Sequence, residues 1–119
     1  MRNHQHSECI LACNECAVEC NECAAACLRE DDVKMMARCI ALDMDCAAMC
    51  QLAVATMARG SEHAGPICLL CADICDSCAV ECSKHSMDHC KRCAEACRRC
   101  AKACREMATT IAKSSVAKK

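Results

Sequence analysis

The sequence predicts an all-α protein: an antiparallel up-down-up-down four-helix bundle with a Cys-lined core. Three observations carry that prediction. Cysteines recur at helical spacing, as in "CILACNECAVECNECAAAC" (9–27), where the intervals run 4, 3, 4, 3, 4, and that alternation keeps side chains on one stripe of a helix. Only two Gly and one Pro interrupt 119 residues, so long helices meet few breakers. The segments between the periodic stretches are short, which makes successive helices antiparallel. A single domain over 1–119 follows from the length.

The first helix is expected over about 3–28 and carries Cys9, Cys13, Cys16, Cys20, Cys23 and Cys27. "REDD" follows, with Asp31 or Asp32 placed to cap the next helix. The second, over about 33–59, is sparser: Cys39, Cys46 and Cys50 share a stripe with Met36, Asp43, Ala53 and Met57. It stops at Gly60, a suitable residue just past a helix end. The third, over about 62–85, carries Cys68, Cys71, Cys75, Cys78 and Cys82. Ser61 could cap it, but Pro66 would then lie at its fifth position and cost a hydrogen bond, so a start nearer Pro66 stays open. The fourth, over about 87–112 behind a Ser86 cap, carries Cys90, Cys93, Cys97, Cys100 and Cys104, and the tail "KSSVAKK" is expected to fray. All nineteen cysteines fall on these stripes, with mainly Ala, Glu, Asn, Lys and Arg between them. Acidic residues dominate the first helix and basic ones the fourth, so opposite charges meet where those two helices adjoin.

Composition excludes several roles. Phe, Tyr and Trp are absent, so no ring can stack on a base, and the formal charge of −1 makes no field for nucleic acid. No stretch approaches eighteen consecutive apolar residues, so no membrane-spanning segment is expected. "MRNHQHSEC" has no apolar signal core, which places the chain in the cytoplasm. Thiols there stay reduced, and an odd cysteine count suits a disulfide framework poorly. No cysteine stands beside a base in a special setting, so no enzyme is expected.

A tube of inward thiols is therefore read as a metal site. As core filler, Leu or Ile would bury more area without the oxidation hazard. Same-face thiols on one helix have roughly parallel Cβ directions, unsuited to bridging. Soft thiolates select Cu(I), zinc or iron–sulfur clusters. Four thiolates leave a zinc site at −2, and several such sites would charge a dry tube heavily. Cu(I) accepts two or three sulfurs and lets a sulfur bridge two ions, so about one ion per thiolate, roughly nineteen, leaves the tube nearly neutral. Iron–sulfur ligands come from clustered loop motifs instead. The alternative kept open is a helical thiolate buffer for zinc or other soft metals.

The ladder of 9–27, "CIALDMDCAAMC" (39–50), "ICLLCADICDSCAVECSKH" (67–85) and "DHCKRCAEACRRCAKAC" (88–104) resemble the bacterial copper storage proteins, in their cytosolic branch. The resemblance implies a four-helix bundle that holds many Cu(I) ions on inward cysteines, assembles as a homotetramer, and stores copper while shielding other proteins from it. Copper donors and acceptors are not specified.

Antiparallel packing gathers Met35, Met36, His85, Met87 and His89 at one end of the tube, and His6, Met57, Ile67, Met107 and Ile111 at the other, more apolar end. His85, His89 and Met36 are expected to form the mouth where Cu(I) is captured, because imidazole and thioether hold it less tightly than thiolate and can pass it inward. The resemblance implies the same role for histidines at this end of the third and fourth helices. His6 is in register with Cys9 and is either a ligand at the far end or a solvated terminal residue. His4 and His63 are expected to be bland. Asp43, a carboxylate on the inner stripe, needs a partner: it accepts thiol hydrogen bonds or touches copper weakly. Met44 and Met49 fall off the stripe and are not assigned to copper.

Overall fold

The structure, a computed structural model, describes the backbone of residues 4–117 and the side chains of residues 6–114. Four α-helices make up the bundle: α1 (His4–Cys27), α2 (Ala37–Arg59), α3 (Ala64–Cys82) and α4 (Asp88–Ala117), with a 3₁₀ turn over Val33–Met36 leading into α2. Each helix packs on its neighbours in sequence, and α1 closes the ring against α4. The result is a rod of 56 × 20 × 17 Å. No strand occurs among the described residues.

The helix boundaries follow from local chemistry. Asp32 accepts a hydrogen bond from the Met35 N–H at 3.3 Å and caps the 3₁₀ turn. α2 ends in a left-handed Gly60 (φ 66°, ψ 37°), with Gly60 N–H bonded to Met57 C=O and Ser61 N–H to Thr56 C=O, which is the Schellman arrangement.

Both ends of α3 and of α4 differ from expectation. α3 starts at Ala64 rather than near 62, which puts Pro66 third in the helix, where its missing N–H has no intrahelical partner to lose. The Ser61 hydroxyl accepts from the His63 N–H in the preceding turn. α3 also stops at Cys82 rather than 85, because its last turn tightens: Lys84 N–H bonds to Glu81 C=O and His85 N–H to Cys82 C=O. α4 starts one residue later than expected, with the Met87 carbonyl accepting from Cys90 and Lys91, and it continues to Ala117 rather than ending near 112. No Gly or Pro follows Ala112, so nothing in the sequence stops it there. Part of the expected frayed tail is thus helical, and its last two residues lie outside the described residues.

Val33–Arg59 is long enough, and one eighteen-residue stretch of it apolar enough at a mean hydropathy of 1.4, to cross a membrane by length and composition alone. Its Cys, Ala and Met raise that value; in the bundle its stripe of Cys39, Asp43, Cys46, Cys50, Ala53 and Met57 is buried against the other helices.

The charge pairing between α1 and α4 is thin. Arg92 lies 3.8 Å from Glu19, while Arg105 turns the other way, to Asp73 and Asp76 of α3 at 3.2 and 2.6 Å. Such exposed pairs each contribute under about 1 kcal/mol. The bundle is held instead by its buried lining of Cys, Ala and Met.

Gly60 has open space where a Cβ would sit, so its requirement is purely conformational. Gly60→Ala is expected to destabilise the reduced, metal-free protein by about 1 kcal/mol, the cost of a side chain in the left-handed region. Thermal unfolding should show a Tm lower by about 5 °C; an unchanged Tm would contradict the assignment.

Candidate metal centre

All nineteen cysteines are free thiols, each at most 1 % exposed. The 3–4 spacing places them on the inner stripe of each helix, and the antiparallel ring points the four stripes at one axis. Sγ···Sγ separations run from 3.5 Å (Cys46–Cys75, Cys13–Cys100) to 4.0 Å (Cys16–Cys75). A disulfide would need about 2.05 Å. Two thiolates on one trigonal ion, with metal–sulfur bonds of about 2.3 Å as for zinc, stand about 4 Å apart. These sulfurs therefore lie near the spacing that a shared soft ion requires.

The sulfurs also overlap in their groupings. Cys13, Cys71, Cys100 and Cys104 form one quartet with ligand atoms all within 4.8 Å of one another. Others are Cys16–Cys46–Cys50–Cys75, Cys16–Cys20–Cys46–Cys97, Cys20–Cys78–Cys93–Cys97 and Cys23–Cys27–Cys39–Cys90. Cys16, Cys20, Cys46 and Cys97 each belong to two of these five. The groups are consecutive stretches of one lane rather than closed sites.

Desolvation favours the protonated form of every thiol in the lane, while hydrogen bonds between sulfurs raise some and lower others, Cys16, Cys39, Cys46, Cys71, Cys78, Cys93 and Cys104 being lowered. The Cys90 thiol is pushed up to about 11, by desolvation first and then by the charge of Cys39. Cys27 is raised further, again by desolvation first. Deeper in, Cys20, Cys50 and Cys97 are shifted upward, first by hydrogen bonding with neighbouring sulfurs (Cys16, Cys100 and Cys16 respectively) and also by burial. In such a network proton loss belongs to a group of sulfurs rather than to one cysteine.

Asp43 is fully buried among these sulfurs. Its Oδ1 accepts from Cys78 at 3.1 Å, Cys93 at 3.2 Å and Cys82 at 3.5 Å, and its Oδ2 from Cys39 at 3.8 Å. Thiol hydrogen bonds thus supply the partners that a buried carboxyl needs. Its pKa is raised from the ordinary 3.8 to about 10, by desolvation first and then by the charges of Cys93 and Cys78. It is a neutral acid at pH 7.

At the mouth, His89 points Nδ1 at three thiols: Cys23 at 3.5 Å, Cys90 at 3.6 Å and Cys27 at 3.9 Å. Its Nε2 faces the Glu30 carboxylate at 3.1 Å. His85 behaves differently. Its Nε2 meets Glu81 Oε2 at 3.0 Å, and the same buried carboxylate receives Arg38 and Lys84. Among the described bonds, His85 makes none to a thiol. Met36 is wholly buried in the core cluster, while Met35 is exposed. The sequence reading missed Glu30 and Glu81. Glu81 could have been found from its position four residues before His85 on one helix face; Glu30 and His89 are 59 residues apart and meet only in the fold.

The far end is closed by Met57 and Met107, each 2 % exposed, with Ile67 and Ile111 packed alongside. His6 directs Nε2 to the Met57 carbonyl at 2.7 Å, so that nitrogen donates and is not free for metal. His63 is exposed and lies 3.5 Å from Glu62. The side chain of His4 lies outside the described residues. Met44 is 60 % exposed and Met49 packs at the core's edge, both off the sulfur lane as expected.

Comparison with known proteins supplies the family. The model described as Csp, copper storage protein, matches residues 2–109. The chain belongs to the copper storage protein family. A Cu(I)-bound copper storage protein of Bacillus subtilis superposes with a TM-score of 0.85 at 47 % identity, covering 88 % of this chain and 99 % of that one. A cytosolic copper storage protein from Streptomyces lividans, loaded with five coppers, gives 0.85 at 38 % identity, covering 88 % and 92 %. An uncharacterized cysteine-rich protein of Bacillus subtilis is 50 % identical over 71 residues, 59 % of this chain and 66 % of its own length. The chain's match thus spans just under two thirds of that curated relative.

The raised Asp43 pKa sets a pH dependence for this member of the copper storage family. Asp43 keeps its proton in the folded chain and loses it on unfolding at any pH between about 4 and 10. Its contribution to stability is therefore complete below the unfolded pKa of 3.8 and is lost as pH rises through about 10. Denaturant unfolding of reduced, metal-free protein should show stability falling from pH 5 to pH 9 relative to Asp43→Asn. Parallel profiles for the two proteins would mean that Asp43 is ionised in the fold.

Proposed function

We propose that the protein stores and detoxifies Cu(I), binding many ions along the nineteen inward thiols at roughly one per cysteine. The observation that carries this is the overlap of the quartets: Cys16, Cys20, Cys46 and Cys97 would each serve two neighbouring ions. Bridging sulfurs suit a monovalent soft cation of low coordination number. Zinc, the alternative, favours closed sites with four thiolates of their own and would leave −2 at each in a dry tube. A relative 47 % identical binds Cu(I), and one 38 % identical takes up five coppers. Stoichiometric storage accounts for this arrangement without any catalysed reaction. That relative from Streptomyces lividans is cytosolic, which supports the same compartment here.

Within this reading, His89 and Met36 form the mouth with Cys23, Cys27 and Cys90, and Asp43 lies beside the second layer of sulfurs as a weak or transient ligand. His85 completes the mouth once its ring leaves Glu81. The homotetramer implied by the family resemblance is part of the proposal. The exposed Leu11, Met44, Leu69, Leu70 and Val80, 49–61 % accessible, form the sort of apolar surface that association covers.

Anaerobic titration of the reduced protein with Cu(I), with metal analysis and zinc as competitor, tests the function. Uptake near nineteen ions per chain is expected, with zinc failing to displace them. Uptake should release protons, because desolvation favours the protonated thiol and the metal takes the thiolate. Saturation after a handful of ions would end the proposal. For the mouth, the double variant His85→Ala/His89→Ala should load and unload copper more slowly in stopped-flow; unchanged rates would remove both histidines from the path.

A further inference from the structure

The two faces of the His89 ring are held by different partners. Nε2 lies 3.1 Å from Glu30 Oε2, in the connection between α1 and the 3₁₀ turn. Nδ1 lies 3.5–3.9 Å from the sulfurs of Cys23, Cys90 and Cys27. A carboxylate only accepts hydrogen bonds, so the nitrogen facing it must carry the ring's hydrogen. In the neutral ring that leaves Nδ1 with a free lone pair aimed at the first three thiols of the lane. The distances suit a shared ion. Metal–nitrogen and metal–sulfur bonds of about 2.0 and 2.3 Å, taken from zinc as a scale, separate N and S by about 3.8 Å at a trigonal centre.

We propose that Glu30 is a positioning residue for copper capture: it fixes His89 in the Nε2–H tautomer and turns the Nδ1 lone pair toward Cys23, Cys27 and Cys90. This rests on the reading of His89 as the mouth ligand and adds the residue that makes it competent. The same logic governs metal-bound histidines generally, where a carboxylate on the outer nitrogen sets tautomer and orientation. Here the carboxylate is Glu30, 3.1 Å from Nε2. Glu30 belongs to a short connection, its side chain is one-third exposed, and its own N–H is anchored to the Cys27 carbonyl at 3.2 Å. The backbone that ends the first ligand helix therefore also places the group that orients His89. His85 makes a contrast. Glu81 holds its Nε2, but Glu81 also serves Arg38 and Lys84, and no thiol lies on the other face of that ring among the described bonds. Glu30 thus readies one of the two mouth histidines ahead of the other.

The test uses Glu30→Ala and Glu30→Gln in the full chain, reduced and metal-free, with circular dichroism to verify the fold. Long-range ¹H–¹⁵N spectra read the His89 tautomer. The parent is expected to show an unprotonated Nδ1, Glu30→Ala a mixture of tautomers, and Glu30→Gln, whose amide oxygen still accepts, a parent-like ring. In anaerobic stopped-flow, Glu30→Ala should slow the first loading phase by about tenfold, the lower end of the effect of losing such a partner. Glu30→Gln should restore most of the rate. A parent-like tautomer in Glu30→Ala overturns the positioning role, and so does a parent-like loading rate while His89→Ala is slow. If His89→Ala itself loads as fast as the parent, the mouth reading beneath the proposal is what has failed. A loss of stability without a tautomer change would mean a purely structural Glu30 and would also overturn the proposal.

Discussion

The structure depends on one constraint: nineteen thiols have been taken out of water together. A neutral thiol tolerates that, because it packs as a small hydrophobe; a thiolate does not. The bundle can therefore fold empty on its S–H···S contacts, and it gains a strong appetite for any soft cation that can replace the protons. Small metal-dependent folds hold too little core to stand without metal. Here four long helices and a continuous Cys–Ala–Met lining provide a core from the start, so loading is a substitution inside a finished scaffold.

The choice of ion follows from sharing rather than from softness alone. Any four inward cysteines would attract zinc. A lane in which Cys16 and Cys46 belong at once to the quartet with Cys50 and Cys75 and to the quartet with Cys20 and Cys97 cannot give each ion four sulfurs of its own. The lane can fill only with ions content with two or three sulfurs, and it stays close to neutral only if each brings a single charge. Asp43 fits this balance. As a neutral acid amid Cys78, Cys82 and Cys93 it adds no charge to the empty tube, yet its oxygens lie within reach of those sulfurs.

Much of this was legible in the sequence because one pattern, intervals of 3 and 4, sets helix, face and ligand together. The Cys9–Cys27 ladder alone fixes where α1 runs and which side it buries. Asp32 and Gly60 marked the ends around α2 because capping and left-handed backbone have strong residue preferences. The ends of α3 and α4 were less readable. Pro66 is compatible with several positions in a first turn, the tightening after Cys82 has no sequence marker, and Lys113 to Ala117 contain nothing that either demands or forbids helix. At the mouth, the histidines announced themselves, but a ring's direction depends on what holds its second nitrogen. For His85 that group sits four residues earlier, at the end of α3. For His89 it comes from the connection after α1, 59 residues away in sequence.

That difference gives the tube a direction. Both ends carry histidine, yet at the far end His6 spends Nε2 on the Met57 carbonyl, and Met57, Met107, Ile67 and Ile111 close the axis behind Cys9 and Cys104. A cation arriving there meets apolar side chains and would have to shed its ligands before reaching any sulfur. At the other end it meets a lone pair backed by a carboxylate, with three thiols within 4 Å of the same nitrogen. Under the proposed entry at His89, capture and first transfer would need no long movement: an ion would exchange one ligand at a time between Nδ1 and the neighbouring sulfurs, and quartets in the middle of the lane share members. The ladder that makes the helices amphipathic thus also lines up the sulfurs along the whole bundle.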